Sequence, residues 1–367
     1  MADTYVEKKG FFTNMKNSIT GVFAGIILII IGIGVLIYNE RQNTINIKDV
    51  KELRDNYTEI KSDEVDKNDN DKLVVTSNVL TFNEEELKDT LFNISQKTPK
   101  LTRTVEVYQW KEEKEESDDS TTYKYEKVWS NEMIDSEDFN HKDGHTNPKE
   151  KAYTDEQYVS KELKVGAYDL ASCFRNSISA NTDINDYTNA NIPEGYKVYN
   201  KYLTNSEDPE KPEIGDVRIS FEYATYGTVT VLGKTNNGTI EEYVTKKNSK
   251  IYYLVEDKHD GEYVINEIEK NNNIWKWILR AIGTLLVIGG FSAFFGPIAT
   301  LTSYVPFFGK IVKGVTGLLG FLIGLAVSLL VIAISWIAFR PVLGICLLVA
   351  VVLLILLAKK LVSKKQQ

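Results

Sequence analysis

The sequence predicts an α-helical polytopic membrane protein with four transmembrane helices, one N-terminal and three C-terminal, and a large α+β, mainly antiparallel-sheet domain between them. Two observations predict this class. The longest apolar runs of the 367-residue chain lie at its two ends and are almost free of charge. The stretch between them is acidic and contains segments in which apolar and polar residues alternate with the period of a β-strand.

The first apolar run covers residues 19–38 and contains no charged residue. At 1.5 Å per residue it is long enough to cross a hydrocarbon core of about 30 Å. It is longer than the apolar region of a secretory signal peptide, and no Ala-x-Ala cleavage site follows it. We therefore predict an uncleaved signal anchor, transmembrane helix 1, preceded by a short segment at residues 1–18.

Three further apolar runs, at residues 278–300, 314–339 and 342–358, predict transmembrane helices 2 to 4. Buried helices of a large soluble core are the competing interpretation, but charge-free runs of this length are rare there. We interpret residues 340–341 (Arg-Pro) as a turn between the last two spans, because proline disfavours helix at the residue before it. A single kinked helix is the alternative.

The distribution of basic residues predicts the orientation in the membrane. With four spans, nine lysines flank the membrane on one side, against six lysines and arginines on the other. Cytoplasmic flanks carry the excess of Lys and Arg. The segment 1–18, the loop 301–313 and the basic tail 359–367 are therefore predicted to be cytosolic, and residues 39–277 to form a luminal domain.

The charge of that domain limits its partners. Residues 39–273 carry a net charge of −18, whereas the whole chain carries −8. Such an acidic domain is not expected to bind nucleic acid or an anionic membrane surface through bulk electrostatics. No Asp/Asn-rich loop has EF-hand spacing, so we interpret the acidity as a source of solubility and predict no cofactor.

Two kinds of short motif fit this topology, a retrieval signal and glycosylation triplets. Lys364 and Lys365 stand at the third and fourth positions from the C-terminus, where a dilysine signal retrieves membrane proteins to the endoplasmic reticulum. The alternative is a generic basic stop after a span. Asn56, Asn93 and Asn237 head Asn-x-Ser/Thr triplets, so they are candidate glycosylation sites in a lumen.

The central domain shows strand signals more often than helix signals. Helices are predicted at residues 48–60, 83–92 (with Asn83 as N-cap) and 262–280, where the last continues into the second span. Strands are predicted at residues 104–110, 123–129, 217–223, 228–232 and 251–255, with the first two forming a hairpin and Asn236-Asn237-Gly238 forming a turn.

Candidate catalytic groups are few. His141 and His145 have a spacing that would put two imidazoles on one helical face, but Asp143-Gly144 favours a turn. A luminal metal-dependent enzyme using His141 and His145, with His259 as a third ligand, is kept as an alternative. Cys173 lacks the neighbouring signature of a thiol enzyme. The residues therefore favour no catalytic site and no resident metal.

The apolar spans carry small residues instead of ionisable ones. A small oligomeric channel or transporter is consequently disfavoured, although it is kept as a second alternative. Small residues at helical spacing let helices approach closely, within this chain or between copies. The candidate helix-packing residues are Gly21, Gly25, Gly320, Gly324 and Ser328.

Several ordered motifs together resemble one family, the transmembrane protein 43 family, also called LUMA. The resemblance covers nearly the whole chain. The sequence departs from the family's Asn-Glu-Gly-Arg pattern, because the glycine is missing here, and its acidic loops also differ. The motifs are Asn39-Glu40-Arg41, Arg103-x-Val105-Glu106-x-Tyr108-Gln109-Trp110, Trp129, Ile134, Ser136, Phe139, Gly144-His145-x-Asn147-Pro148, Pro212-Glu213-x-Gly215-Asp216-x-Arg218-x-Ser220-Phe221 and Trp336-x-x-Phe339-Arg340-Pro341.

The resemblance implies a multi-pass protein of the endoplasmic reticulum membrane and the inner nuclear membrane, with both termini cytosolic and a large luminal domain. It implies a non-enzymatic scaffold that organises membrane protein complexes and self-associates. In animals it also implies emerin and lamins as partners. It carries over no catalytic residue, and in its light His145 is expected to be a structural turn residue.

Overall fold

The computed structural model describes residues 3–8, 10–82, 86–117, 120–303 and 308–337, together with 349 and 352. Three helices in this part of the chain are long and apolar enough to cross a membrane. The predicted fourth span at residues 342–358, the turn at 340–341 and the tail from 359 lie outside the described residues, apart from 349 and 352. The helices are α1 Phe11–Asn56, α2 Gly261–Phe294, α3 Gly296–Ser303 and α4 Phe308–Ile337.

The helix α1 is longer than the predicted span. It continues past the apolar run to Asn56, so the short helix predicted at residues 48–60 is present as far as Asn56 but as the end of α1, and Thr58–Glu59 form a strand instead. No proline or glycine stands between Tyr38 and Lys48, and nothing in the sequence there interrupts the helical hydrogen bonds. The predicted second span is divided, because α2 ends at Phe294 and Pro297 lies in the first turn of α3, where its missing N–H is not needed.

The chain divides into two compact units. The first contains residues 1–7, 52–116 and 121–266 and holds nearly all of the strands, and the second contains residues 8–51, 117–120 and 267–367 and holds most of the helical residues. The described strands are β1 Asp3–Lys8, β2 Thr58–Glu59, β3 Leu73–Phe82, β4 Leu87–Asp89, β5 Ile94–Gln96, β6 Lys100–Glu116, β7 Ser120–Ser130, β8 Glu156–Val159, β9 Leu163–Val165, β10 Tyr168–Leu170, β11 Thr182–Asp183, β12 Lys197–Tyr199, β13 Tyr202–Thr204, β14 Val217–Tyr223, β15 Thr228–Asn236, β16 Thr239–Glu241, β17 Tyr243–Val244, β18 Lys250–Ile251 and β19 Tyr253–Glu256.

The larger sheet is built around the long hairpin of β6 and β7. Its strand order is β1-β7-β6-β14-β13-β12, with β8 also paired to β6 and β11 to β14. The predicted strand at residues 217–223 is present with these bounds and pairs antiparallel with β6, Val217 opposite Val107 and Phe221 opposite Arg103. One face of this pair is apolar and packs into a core with Phe92, Leu101 and Leu203.

The second sheet closes on itself. β3 pairs with β15, β15 with β16, β16 with β10, β10 with β9, and β9 again with β3, so five strands form a small barrel. Alternate residues such as Val229, Val231 and Val165 fill its interior together with Phe174. Gly166 turns the chain between β9 and β10 at φ +60°, and a Cβ there would lie 2.1 Å from the carbonyl oxygen of Ser62.

Antiparallel pairing dominates both sheets, as the sequence predicted. Among the described strands, β10–β16 and β2–β3 are parallel pairs, whereas β6 pairs antiparallel with β7, β8 and β14 and β15 pairs antiparallel with β3, β16 and β19. The helix predicted at residues 83–92 is wrong over the residues described. β4 and β5 form a short hairpin there, and the buried carboxylate of Asp89 accepts hydrogen bonds from the backbone N–H groups of Leu91 and Phe92 and from Arg103. These tertiary contacts outweigh the capping signal.

Candidate functional site

A buried polar cluster lies among the helices of the second unit. The carboxylate of Glu40, which is 1% exposed, accepts hydrogen bonds from Nε of Arg280 at 2.6 Å and from Nη2 at 2.9 Å. The indole Nε1–H of Trp336 donates a third hydrogen bond to this carboxylate. One member comes from each of α1, α2 and α4, so the cluster joins three segments that are distant in the sequence.

The surroundings of Arg280 are aromatic. Its guanidinium carbon lies 4.9 Å from the ring centroid of Trp277 and 5.1 Å from that of Trp336. Next to the cluster, the side chain of Asn39 donates a hydrogen bond of 3.1 Å to the carbonyl of Lys276. A buried bidentate pair adds little net stability, but removing one partner leaves an uncompensated charge. The cluster therefore links α1, α2 and α4 through groups that are costly to separate.

Glycine allows α1 and α2 to approach closely. A Cβ on Gly25 would lie 2.6 Å from the carbonyl oxygen of Gly290, and one on Gly32 would lie 2.9 Å from that of Gly283. Gly21, the other half of the predicted G-x₃-G pair, has nothing within 4 Å of an added Cβ. The pair is therefore divided between a packed position and an open one.

The small residues of α4 also lie against α2. A Cβ on Gly320 would be 2.7 Å from Cα of Ser292, and one on Gly324 would be 2.6 Å from Cα of Ile288. The buried hydroxyl of Ser328 donates a hydrogen bond of 2.8 Å to the carbonyl of Gly324 within the same helix. The glycines of this stripe thus serve contacts inside one chain.

The predicted histidine pair lies in the first unit, in a turn beside the distal part of the β6–β7 hairpin. Gly144 has a φ of +82°, and the ring Nδ1 of His145 lies 2.9 Å from the carbonyl oxygen of His141. The imidazole of His145 is 1% exposed and stacks on the ring of Tyr125 at 3.9 Å. His145 is thus packed as part of a turn.

The two imidazoles do not converge on a common point. His141 stacks on Tyr5 at 4.3 Å, and its Nε2 lies 3.4 Å from the carboxylate of Glu7. His259 is elsewhere, stacked on Tyr263. In the part of the chain that the structure describes, no group of three or more His, Cys, Asp or Glu side chains is arranged to hold a metal ion. The metal-enzyme alternative gains no support from this geometry.

The carboxylate of Glu112 and the phenol of Tyr125 hold the turn that contains the two histidines. Glu112 accepts hydrogen bonds from the hydroxyl of Tyr125 and from the backbone and side-chain N–H groups of Asn140. Burial raises the pKa of Glu112, but these hydrogen bonds outweigh it, so the net pKa is below the ordinary value. Burial, followed by the hydrogen bond to Glu112, raises the pKa of Tyr125 to about 12.

The motif Gly144-His145-x-Asn147-Pro148 acts through the amide of Asn147. This buried side chain accepts a hydrogen bond from the backbone N–H of Trp110 at 2.7 Å and donates one to the Trp110 carbonyl at 2.8 Å. It donates another to the carbonyl of Ile134. One side chain thereby pairs with the backbone of β6 as a neighbouring strand would.

The face of the larger sheet that is opposite its apolar core carries aromatic and charged side chains. Arg218 forms a bidentate ion pair with Glu106, at 2.6 and 2.9 Å. Its guanidinium carbon lies 4.6 Å from the ring of Trp129 and 4.8 Å from that of Tyr202, and Tyr108 packs on Trp129. All five side chains are half-buried. We call them the aromatic–arginine face.

The predicted glycosylation sites and Cys173 have different settings. Asn56 ends α1, Asn93 lies in the β4–β5 turn, and Asn237 lies in the β15–β16 turn; all three are exposed. Cys173 is half-buried, and burial raises the pKa of its thiol. Lys364 and Lys365 lie outside the described residues.

Sequence reasoning missed two of these interactions. Glu40 and Arg280 were each assigned to a membrane flank without being paired, and the buried Asp89–Arg103 pair was not expected because Asp89 was placed in a helix. For the first pair a signal existed, since Glu40 follows one apolar run closely and Arg280 stands at the start of another.

Comparison with known proteins gives a consistent result. A family model described as Transmembrane protein 43 matches residues 107–341. Transmembrane protein 43 of Mus musculus is 26% identical over 276 residues, which cover 70% of this chain and 68% of the relative. The Drosophila melanogaster protein, Transmembrane protein 43 homolog, is 28% identical over 284 residues, 72% of this chain and 74% of the relative. No solved structure matches the chain.

Proposed function

Because this chain belongs to the transmembrane protein 43 family, we propose that it is a non-enzymatic membrane scaffold that organises protein complexes in the endoplasmic reticulum and nuclear envelope membranes. The observation that carries the proposal is the aromatic–arginine face. Trp, Tyr and Arg dominate the energetics of protein interfaces, and here they form one ordered, half-buried surface on a sheet.

The membrane helices have a complementary part in this proposal. The buried Glu40 and Arg280 and most of the described glycines make contacts within the chain, which favours a membrane anchor over a channel. Gly21 is open and offers a close approach to a second copy, so self-association through α1 belongs to the proposal. The proposal places the domain in the lumen and the termini in the cytosol. The lysine bias and the Lys364-Lys365 ending support this orientation.

Affinity isolation from mild detergent tests the docking role. Partners retained by the wild type should be lost from the double variant Trp129→Ala, Tyr202→Ala. The matched control is Val198→Ala, which truncates an exposed apolar side chain on β12 of the same sheet and should leave partner recovery unchanged. Equal recovery from all three proteins would contradict a docking role for this face.

A second measurement tests the topology and the self-association. In a glycosylating host, Asn93 and Asn237 should each add one glycan that is lost on Asn→Gln substitution, and unmodified sequons would contradict a luminal domain. Gly21→Leu should convert an oligomer into a monomer of unchanged unfolding midpoint. An oligomeric Gly21→Leu protein would exclude α1 as the contact.

A further inference from the structure

The N-terminal residues form an edge strand that has an unusual position in the sequence. β1 (Asp3–Lys8) pairs with β7 at the end of the larger sheet, yet it precedes α1, the helix that contains the first apolar run. All six of its side chains remain exposed, so β1 contributes little to the core. It packs against a cluster of residues that are buried when β1 is in place, comprising Tyr123, Tyr125 and His145.

The contacts of β1 come from every second residue. The ring of Tyr5 stacks on His141 and meets Tyr125 edge-on at 5.7 Å. The carboxylate of Asp3 lies 3.3 Å from Nε2 of His145, and that of Glu7 lies 3.4 Å from Nε2 of His141. Residues two apart on a strand share one face, so a strand with the pattern acid-x-aromatic-x-acid fits this edge.

Membrane insertion conflicts with this pairing inside one chain. If α1 crosses the bilayer, as the proposed topology has it, β1 and β7 lie on opposite sides of the membrane. A second copy cannot supply the strand either, because its N-terminal segment lies on the same far side. The inserted protein then has β7 as an open edge, and an unpaired edge is a template for strand addition.

We propose that the β7 edge, with His141, His145 and Tyr125, is a docking site for an extended segment of another protein on the same side of the membrane as the sheet domain. The segment has an aromatic residue flanked at two residues on either side by carboxylates. Main-chain pairing with β7 supplies the attachment, and the aromatic and acidic side chains supply the selectivity. This inference rests on the topology in the proposed function.

A peptide-binding experiment on the full chain tests the site. The protein is placed in lipid nanodiscs, and the labelled peptide DTYVEK, the sequence of β1, is titrated by fluorescence anisotropy. We expect saturable binding of one peptide per chain and about tenfold weaker binding of DTAVEK, because the aromatic stacking and apolar burial are lost. His141→Ala should weaken DTYVEK similarly, whereas His259→Ala, which alters a histidine outside the site, should not.

Three outcomes would overturn the proposal. These are the absence of binding, equal binding of the two peptides, and an intrachain cross-link between cysteines at positions 5 and 141 in the nanodisc. The cross-link would show that β1 docks within its own chain and that α1 does not cross. The first two outcomes are distinguishable from failure of the scaffold proposal, because partner recovery through the aromatic–arginine face and oligomerisation through α1 are measured separately. The cross-link would also contradict the proposed topology, which the glycan test on Asn93 and Asn237 checks independently.

Discussion

Removing one member of the buried Glu40–Arg280 pair should destabilise the helical unit strongly. In Arg280→Gln the carboxylate of Glu40 stays buried, keeps the Trp336 indole and loses both guanidinium hydrogen bonds. Breaking a buried pair in this way costs about 3–5 kcal/mol. Glu40→Gln leaves the opposite charge unpaired and should cost a similar amount.

The chain contains a matched control for this experiment. Arg54 pairs with Glu262 at 3.1 Å, and the two side chains are 37% and 48% exposed. Because solvent screens an exposed pair, Arg54→Gln should cost only about 0.2–1 kcal/mol. The assay is reversible unfolding in detergent micelles titrated with dodecyl sulfate, followed by circular dichroism.

The double variant Glu40→Gln, Arg280→Gln completes a mutant cycle. Once both charges are gone, no buried charge is left uncompensated, so its cost should be well below the sum of the two single costs. Additive costs, or an Arg280→Gln effect no larger than that of Arg54→Gln, would refute the argument that burial makes this pair important.

Three further predictions follow from single positions. Gly25→Leu should lower the unfolding midpoint in micelles because α1 and α2 must separate, whereas Gly21→Leu should leave it unchanged, and equal effects would contradict the assigned packing. Asn147→Ala should cost about 1–3 kcal/mol in denaturant unfolding, because the partly buried N–H and carbonyl of Trp110 lose the side chain that pairs with them, and a cost under about 0.5 kcal/mol would contradict that pairing. The pKa of Tyr125 is raised to about 12, so its contribution to the free energy of unfolding is fully present below the ordinary tyrosine pKa near 10 and is lost as pH rises toward 12. Tyr125→Phe should therefore flatten the dependence of the free energy of unfolding on pH between about 10 and 12. An identical pH dependence in the wild type and the variant would refute this assignment.

The sequence predicted the elements whose signal is local. Alternation along residues 217–223 defined β14 with its observed bounds, because a strand with one buried face leaves a period of two. The apolar runs defined three long helices, because a helix that can cross a membrane leaves a long uninterrupted apolar stretch. The same reasoning failed at residues 83–92. There a capping pattern and acidic residues suggested a helix, but Asp89 is drawn into a tertiary ion pair with Arg103.

The interactions that build the sites were beyond local reasoning. The pattern Gly-His-x-Asn-Pro indicated a turn, but nothing in it indicates that Asn147 pairs with the backbone of Trp110, 37 residues earlier. The apolar spans showed which residues are small, but not that Gly25 faces another helix while Gly21 does not. Such assignments depend on which surfaces meet, and that is decided by the packing of distant segments.

The closed barrel of the first unit also bears on the order in which the protein is made. Its ring requires β3, which begins at Leu73, and β16, which ends at Glu241. The ring therefore stays open after β3 has been synthesised until the ribosome has added the residues up to β16, which takes on the order of 10 to 30 s at ordinary elongation rates. Only a short stretch then separates β16 from Gly261, where α2 begins. Completion of the barrel and arrival of the second membrane helix thus fall close together in synthesis, and a factor that holds unpaired strands would act in that interval.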